Sequence, residues 1–156
     1  MEKSNNILNK INLLFQNNNG NNKFNKFNKF NKFNKFNNIK YYPKKIPNQP
    51  EEKYYGNREY KRFILFNDKK ENKRKIKINK RSTQLLFRLS EGEGKALYII
   101  GLEDDGIVYG IDETILIESI NNIIEMCNII KAEIKNINIY NGINGYISSI
   151  RIIKIM

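Results

Sequence analysis

The stretch from Glu91 to Glu113 holds the residue types that most often do chemistry. Three carboxylates, Glu103, Asp104 and Asp105, stand directly before Gly106. A calcium loop needs alternating ligands and a distant glutamate, and neither is present. Asp-Gly is the strongest short signal for a hairpin, because glycine adopts a positive φ without steric cost. The acidic run therefore predicts a turn, with an ion or catalytic site as the less favoured interpretation.

Other catalytic and cofactor motifs are missing from the sequence. The chain has no histidine, and its one cysteine, Cys127, lies among isoleucines, which predicts a buried thiol. The glycines of Glu91-Gly-Glu-Gly close a predicted helix, whereas a phosphate cradle needs backbone amides at the start of a helix. Neither the P-loop pattern nor GxGxxG occurs. We therefore predict no catalytic residue, no metal site and no cofactor site in this chain.

A cluster of basic residues is the sequence feature that favours binding. Eleven lysines and arginines lie between residues 58 and 81, against three acids. The candidate nucleic-acid-binding residues are Lys69, Lys70, Lys73, Arg74, Lys75, Lys77, Lys80 and Arg81. Such a density of positive charge can hold phosphates of RNA. The alternative is a solvated, lysine-rich surface, and the pattern leaves both interpretations open.

The first fifty residues hold most of the formal net charge of +12, with ten lysines against Glu2. Five Lys-Phe-Asn repeats begin at Lys23 and end at residue 37. A period of three fits neither a helix nor a strand, and asparagine disfavours both. Residues 1–58 are therefore predicted to be a disordered, low-complexity tail and a proline-containing linker. An organellar transit peptide is a minor alternative, because residues 3–50 contain no acid.

The elements that would position these residues lie in a predicted domain at 59–156. Strands are predicted at 59–66, 95–102, 107–111, 133–140 and 146–156, with 95–102 and 107–111 joined by the acidic turn. A helix is predicted over 75–90, where Ile78, Ser82, Leu85, Leu86 and Leu89 form its apolar stripe. Asp112 is the predicted N-cap of a second helix, whose stripe includes Leu116, Ile120, Ile123, Cys127 and Ile130. The order β-α-β-β-α-β-β predicts an α+β, two-layer sandwich with both helices on one face.

An ordered series of short motifs resembles a known family. The residues are Thr83, Gln84, Phe87, Arg88, Leu89, Glu91, Gly92, Gly94, Ala96, Tyr98, Ile100, Gly101, Glu103, Asp104, Gly106 and Gly110, after Gly-Asn-Arg-Glu-Tyr-Lys at 56–61. They resemble the N-terminal domain of the GTP-binding protein 1 and GTP-binding protein 2 family, which are elongation-factor-like translational GTPases. Phe87 stands where the family usually has tryptophan. The segment around 100–106 is also similar, over a shorter length, to Alba-like domains of schlafen-type proteins.

The resemblance implies an accessory domain that acts in translation in the cytoplasm, with tRNA or the ribosome as partners. GTP and magnesium are implied only for a GTPase domain, whose residues have no positions in this chain. The chain is accordingly expected to be a fragment or a truncated gene model of such a protein. The alternative is a stand-alone module that binds RNA or another protein. No membrane association is expected, and the sequence leaves enzymatic activity undecided.

Overall fold

The computed structural model describes residues 2–20 and 38–155. Within them the helices are α1 (Glu2–Gly20), α2 (Glu71–Glu91) and α3 (Glu113–Ile130). The strands are β1 (Ile39–Lys45), β2 (Arg58–Lys61), β3 (Lys95–Ile100), β4 (Ala132–Asn141) and β5 (Tyr146–Lys154). The Lys-Phe-Asn repeats lie outside the described residues. In the described part of the chain, no helix is long and apolar enough to cross a membrane.

The five strands form one mixed sheet in the order β1-β4-β5-β3-β2. The central strands β4, β5 and β3 pair antiparallel, whereas β1 pairs parallel to β4 and β2 parallel to β3. The predicted α+β class is confirmed. β4 and β5 are joined by a short glycine-containing turn, which is the local connection that antiparallel neighbours allow.

One face of the sheet packs against the helices and forms the main core. The predicted stripes supply its helical side, because residues three and four apart face the same way. Ile78, Leu85 and Leu89 of α2 and Leu116, Ile120, Ile123 and Cys127 of α3 are all buried. Leu86 departs from the predicted stripe and is 43% exposed, since it lies a further 100° around the helix than Leu85.

Helix α1 occupies residues that composition assigned to the disordered tail. Ile7 and Ile11 are fully buried in the main core, with Leu8, Leu14 and Phe15 packed beside them. The spacing of four between the two isoleucines gives α1 an apolar side. Composition alone does not indicate this side, because the surrounding asparagines make the segment polar on average. Lys10 Nζ also contacts Glu113 Oε2 at 2.8 Å and ties α1 to the start of α3.

β1 joins the sheet from within the predicted linker, and the residues after it cross to β2 at the opposite edge. We call residues 46–57 the strap. Its backbone amides at Gln49 and Glu52 donate to the carbonyls of Gly106 and Asp104 at 2.8 and 2.7 Å. The strap and the 102–111 loop together cover a second, smaller cluster that includes Tyr60, Ile99, Val108 and Ile147. This cluster lies on the sheet face opposite the helices.

The predicted hairpin after β3 does not form. Residues 107–111 contain no strand, and only Ile111 makes an isolated bridge, to Tyr146. Both sides of β3 are already paired, with β2 and with β5, so no edge remains for a returning strand. Other bounds also shift: β2 ends at Lys61, β3 at Ile100 and β5 at Lys154, while α2 begins at Glu71.

Candidate functional site

Three of the eight candidate basic residues are engaged with neighbouring side chains. Arg74 makes a bidentate contact to Glu125, with N–O distances of 2.9 and 3.3 Å, and its hydrogen bonds to that carboxylate raise the pKa of Arg74. Lys77 Nζ lies 2.6 Å from Asp68 Oδ2, and this hydrogen bond lowers the pKa of Asp68. Arg81 contacts Gln84 at 3.5 Å. These three side chains are therefore partly committed to the fold.

The other five candidates are exposed lysines: Lys69, Lys70, Lys73, Lys75 and Lys80. None of them makes a salt bridge to a residue that the structure describes. Lys73 and Lys80 lie seven residues apart on one side of α2, roughly 10 Å along its axis. Lys75 lies on another side of the helix, about 200° from Lys73. The structure thus brings part of the cluster onto one surface and separates the rest.

A buried ion pair between Glu59 and Arg88 connects β2 to α2. Arg88 is 4% exposed and Glu59 1% exposed, and Arg88 Nε donates to Glu59 Oε1 at 2.9 Å. The two terminal nitrogens of Arg88 donate to the carbonyls of Gly56 and Lys53, each at 2.9 Å. Each of the three guanidinium nitrogens thus donates a hydrogen bond to the strap or to β2, and such partners offset the cost of burying the charge.

A second carboxyl lies at the same edge of the sheet. Glu52, in the strap, accepts a hydrogen bond from the backbone amide of Tyr60. Partial burial raises the pKa of Glu52 to about 7, and the neighbouring carboxylates of Glu59 and Asp104 add to this shift. Glu52 lines a cavity of about 340 Å³ together with Pro50, Tyr55 and Tyr60.

The Glu52 carboxyl can gain or lose a proton near neutral pH, and the described residues around it supply neither a metal-binding cluster nor an activated nucleophile. No group of three metal-binding side chains occurs among residues 2–20 and 38–155. Cys127 is buried as predicted, and burial raises the pKa of its thiol to about 12, so it is not a nucleophile at neutral pH. The structure therefore gives Glu52, Glu59 and Arg88 structural partners and places no nucleophile beside them.

The acidic run at 103–105 forms the predicted turn. Asp105 Oδ1 accepts from the amide of Ile107 at 3.0 Å, and Gly106 has a φ of +86°. Glu103 makes an exposed contact to Arg62 at 3.3 Å. Asp105 thus has a local turn role, of the kind that aspartate commonly supplies.

Several residues of the family-like motif anchor the backbone. Arg88 fixes the strap as described above, and Glu91 accepts a hydrogen bond from the amide of Gly56 at 3.1 Å. A Cβ on Gly106 would meet the Gln49 carbonyl oxygen at 1.9 Å, and one on Gly110 would meet Gly145 at 2.8 Å. These contacts join distant segments of the backbone, whereas the sequence predicts only a helix end, a turn and a cap for residues 91–113.

Sequence reasoning missed the buried pair of Glu59 and Arg88, and it missed the role of Glu52. An arginine near the end of an amphipathic helix looks like a solvated residue, since cations are favoured there. One available signal was its spacing of three from Leu85, which places Arg88 at the border of the apolar stripe. Nothing in the sequence pairs Arg88 with strap residues that lie 32 and 35 positions earlier.

Comparisons with known proteins give two partial similarities. The chain is 33% identical over 111 residues to an uncharacterized protein of Acanthamoeba polyphaga mimivirus. This match covers 68% of this chain and 56% of the viral protein. The chain is also 33% identical over 88 residues to GTP-binding protein 2 of mouse and of human. This second match covers 56% of this chain and 14% of those proteins. No protein-family profile and no solved structure matches. The matched segment thus spans about half of the viral relative and a small part of the GTP-binding proteins.

Proposed function

We propose that this chain acts as an accessory α+β domain of a GTP-binding protein similar to GTP-binding protein 2. The observation that carries the proposal is the 33% identity over 88 residues to a segment of that protein. In this proposal the domain supplies binding surface, and GTP and magnesium belong to a separate GTPase domain. A role in translation in the cytoplasm, in contact with tRNA or the ribosome, is part of the same proposal.

The buried anchors of the motif support this assignment. Arg88 and Gly106 hold the strap by hydrogen bonds and by close backbone approach, so their side-chain types are dictated by the fold. A motif that specifies a scaffold can be shared by domains without a shared catalytic site. The proposed contribution of this chain is therefore a preformed surface and not a reaction.

A chimera tests the accessory-domain proposal. The matched segment of mouse GTP-binding protein 2 is replaced by that of this chain, and co-sedimentation with ribosomes is compared with the intact protein and with a deletion of the segment. We expect the deletion to reduce co-sedimentation and the chimera to restore it. A chimera that carries Arg88→Met is the matched control and should not restore it. A chimera no better than the deletion would overturn the proposal.

The isolated chain provides an independent check. We expect it to show no binding of a fluorescent GTP analogue in the presence of magnesium, because the proposal places the nucleotide site in another domain. Intact GTP-binding protein 2 is the positive control. Saturable binding by the isolated chain, competed by unlabelled GTP, would contradict the assignment of an accessory role.

We propose nucleic-acid binding through α2 and the two lysines directly before it as a second candidate function. The observation that favours it is the set of five exposed lysines without a salt bridge among the described residues. Lysines that contact phosphates release counterions, so affinity should fall steeply with salt. This candidate can hold whether or not the chain belongs to a GTP-binding protein.

The N-terminal repeats supply a control with the same loss of charge. One full-length variant changes Lys69, Lys70, Lys73, Lys75 and Lys80 to glutamine, and the other changes Lys23, Lys26, Lys29, Lys32 and Lys35. We expect only the α2 variant to weaken binding of bulk tRNA, by about tenfold or more at moderate salt. Equal weakening by the two variants would show a general charge effect and would refute a site on α2.

A further inference from the structure

The sheet face opposite the helices is only partly covered. The strap and the 102–111 loop bury Tyr60, Ile99 and Ile147 on this face. Towards the start of β3, the residues on the same face are exposed to solvent or half-buried. We call this part the open sheet face and define it by Lys40, Arg58, Lys95, Asn138, Ser149 and Arg151.

The strand register places these side chains together. Paired residues of neighbouring strands point to the same face. Arg58 is opposite Leu97, and Leu97 is opposite Arg151, so three adjacent strands carry one row. Ser149 is opposite Asn138, which is opposite Lys40, so a second row reaches the far edge. At about 4.8 Å per strand, the distance from β2 to β1 is roughly 19 Å.

The open sheet face has an uncompensated positive charge. Lys40, Arg58, Lys95 and Arg151 are all exposed, and none makes a salt bridge to a described residue. Among the strand residues, Glu133 shares this face through its register with Ile153 of β5, and Glu51 and Glu52 of the strap line a cavity with Arg58. Of the eight candidate cations on α2 and directly before it, by contrast, two are paired with nearby acids.

Aromatic rings lie at the end of the second row. Tyr42 and Tyr140 stack with a centroid separation of 5.2 Å and an interplanar angle of 15°. Both are half-buried, and Tyr42 follows Lys40 by two residues on the same face of β1. A stacked tyrosine with an accessible side provides a flat platform next to a cation, and nucleobases stack on such platforms irrespective of their sequence.

We infer that the open sheet face is a binding site for single-stranded nucleic acid. Lys40, Arg58, Lys95 and Arg151 would contact phosphates, and Tyr42 would stack with a base at the β1 edge. Asn138 and Ser149 would offer hydrogen bonds to bases or sugars between them. The cations come from four different strands of one sheet, so their positions are set before the ligand arrives. The site is separate from α2 and does not depend on the accessory-domain proposal.

The test uses the full chain and a labelled oligouridine of about 12 nucleotides, within the site sizes known for single-strand-binding domains. Three variants each replace three cations by glutamine. The sheet variant changes Arg58, Lys95 and Arg151. The α2 variant changes Lys73, Lys75 and Lys80 of α2. The repeat variant changes Lys26, Lys29 and Lys32. Thermal melting monitored by circular dichroism verifies that each variant is folded.

We expect the sheet variant to weaken oligouridine binding by about tenfold or more, and to make the slope of log affinity against log salt shallower by about 2. The α2 and repeat variants should change affinity much less. An oligothymidine of the same length distinguishes single-stranded DNA from single-stranded RNA as the ligand. A loss of affinity that is largest in the sheet variant, with either oligonucleotide, supports the site. No binding by the parent chain, equal loss in all three variants, or loss only in the α2 or repeat variant would overturn it.

A variant that retains every charge provides the second measurement. Tyr42→Leu keeps an apolar side chain at the β1 edge but removes the stacking surface. We expect it to weaken oligouridine binding severalfold with an unchanged salt slope, since stacking on an aromatic ring contributes independently of counterion release. Unchanged affinity in this variant would refute the base-stacking role of Tyr42.

Discussion

Arg88 shows how one side chain can join distant parts of the chain. It bonds β2 through Glu59 and the strap through the carbonyls of Lys53 and Gly56. A buried ion pair is seldom a large net source of stability, because desolvation opposes the Coulomb attraction. Removal of one residue of the pair is nevertheless destabilising, because the remaining residue keeps a buried charge without a partner.

The buried pair therefore leads to a prediction about stability. Arg88→Met should lower the free energy of unfolding by roughly 3–5 kcal/mol, because Glu59 would remain buried without its partner. Urea denaturation followed by circular dichroism measures this change. The double variant Glu59→Leu with Arg88→Met removes both charges and should recover a large part of the loss. A single variant as stable as the parent would show that the pair does not anchor the strap.

Glu52 predicts a dependence of stability on pH. Its pKa is raised from 4.5 to about 7, so the folded state favours the protonated carboxyl. The associated stability is present below pH 4.5 and is lost as pH rises to about 7. The chain has no histidine that would titrate in this window. We expect the urea midpoint of the parent to fall between pH 5 and pH 7, and Glu52→Gln to flatten this dependence. The same slope in both proteins would contradict this role.

Among the elements, the strap departs most clearly from its sequence interpretation. Its two prolines and many polar residues predict a linker, yet this segment makes backbone hydrogen bonds and covers an apolar cluster. The strap covers this cluster because its backbone lies very close to the 102–111 loop. At Gly106 the two backbones come so near that a side chain has no space.

A pair of glycines tests the close approach of the strap. Gly56 and Gly106 have nearly the same φ, +88° and +86°, but a Cβ would be free of contacts at Gly56 and would meet Gln49 at 1.9 Å at Gly106. Gly56→Ala should cost about 1–2 kcal/mol from backbone strain alone. Gly106→Ala should cost roughly 1–3 kcal/mol more, since the strap must move. Chemical denaturation compares them, and equal costs would exclude a tight contact at Gly106.

For the molecule as a whole, the helical layer includes α1. Its buried isoleucines belong to the same core as α2, α3 and one face of the sheet. α1 also contacts α3 through the salt bridge of Lys10 with Glu113. The folded unit therefore draws on residues near the start of the chain as well as on residues after 59.

Two substitutions in α1 test its place in the core. Ile11→Ala should destabilise the whole fold by about 2–5 kcal/mol, because Ile11 is fully buried and its removal leaves a cavity. Leu13→Ala is the control on the same helix, and with Leu13 53% exposed it should cost far less. Global unfolding in urea, followed at β-sheet amides by hydrogen exchange, reports both changes. A small effect of Ile11→Ala would mean that α1 does not stabilise the sheet.

Local patterns in the sequence are sufficient to predict the two long amphipathic helices, α2 and α3. The stripes of α2 and α3 predicted their buried faces, and Asp112 caps α3 by accepting from the amide of Ile115 at 2.9 Å. Each of these depends on residues within four positions of one another, so the sequence contains all the information required. The α+β class follows from the same periodicities.

Tertiary structure decided which strands meet and which surfaces remain open. The acidic turn forms as predicted, but β3 pairs with β5 and β2 instead of the segment that follows the turn. The partners of Arg88, the raised pKa of Glu52 and the row of cations on the open sheet face all depend on that pairing. Strand pairing is set by contacts between residues distant in sequence, where burial of the whole sheet outweighs a local hairpin preference.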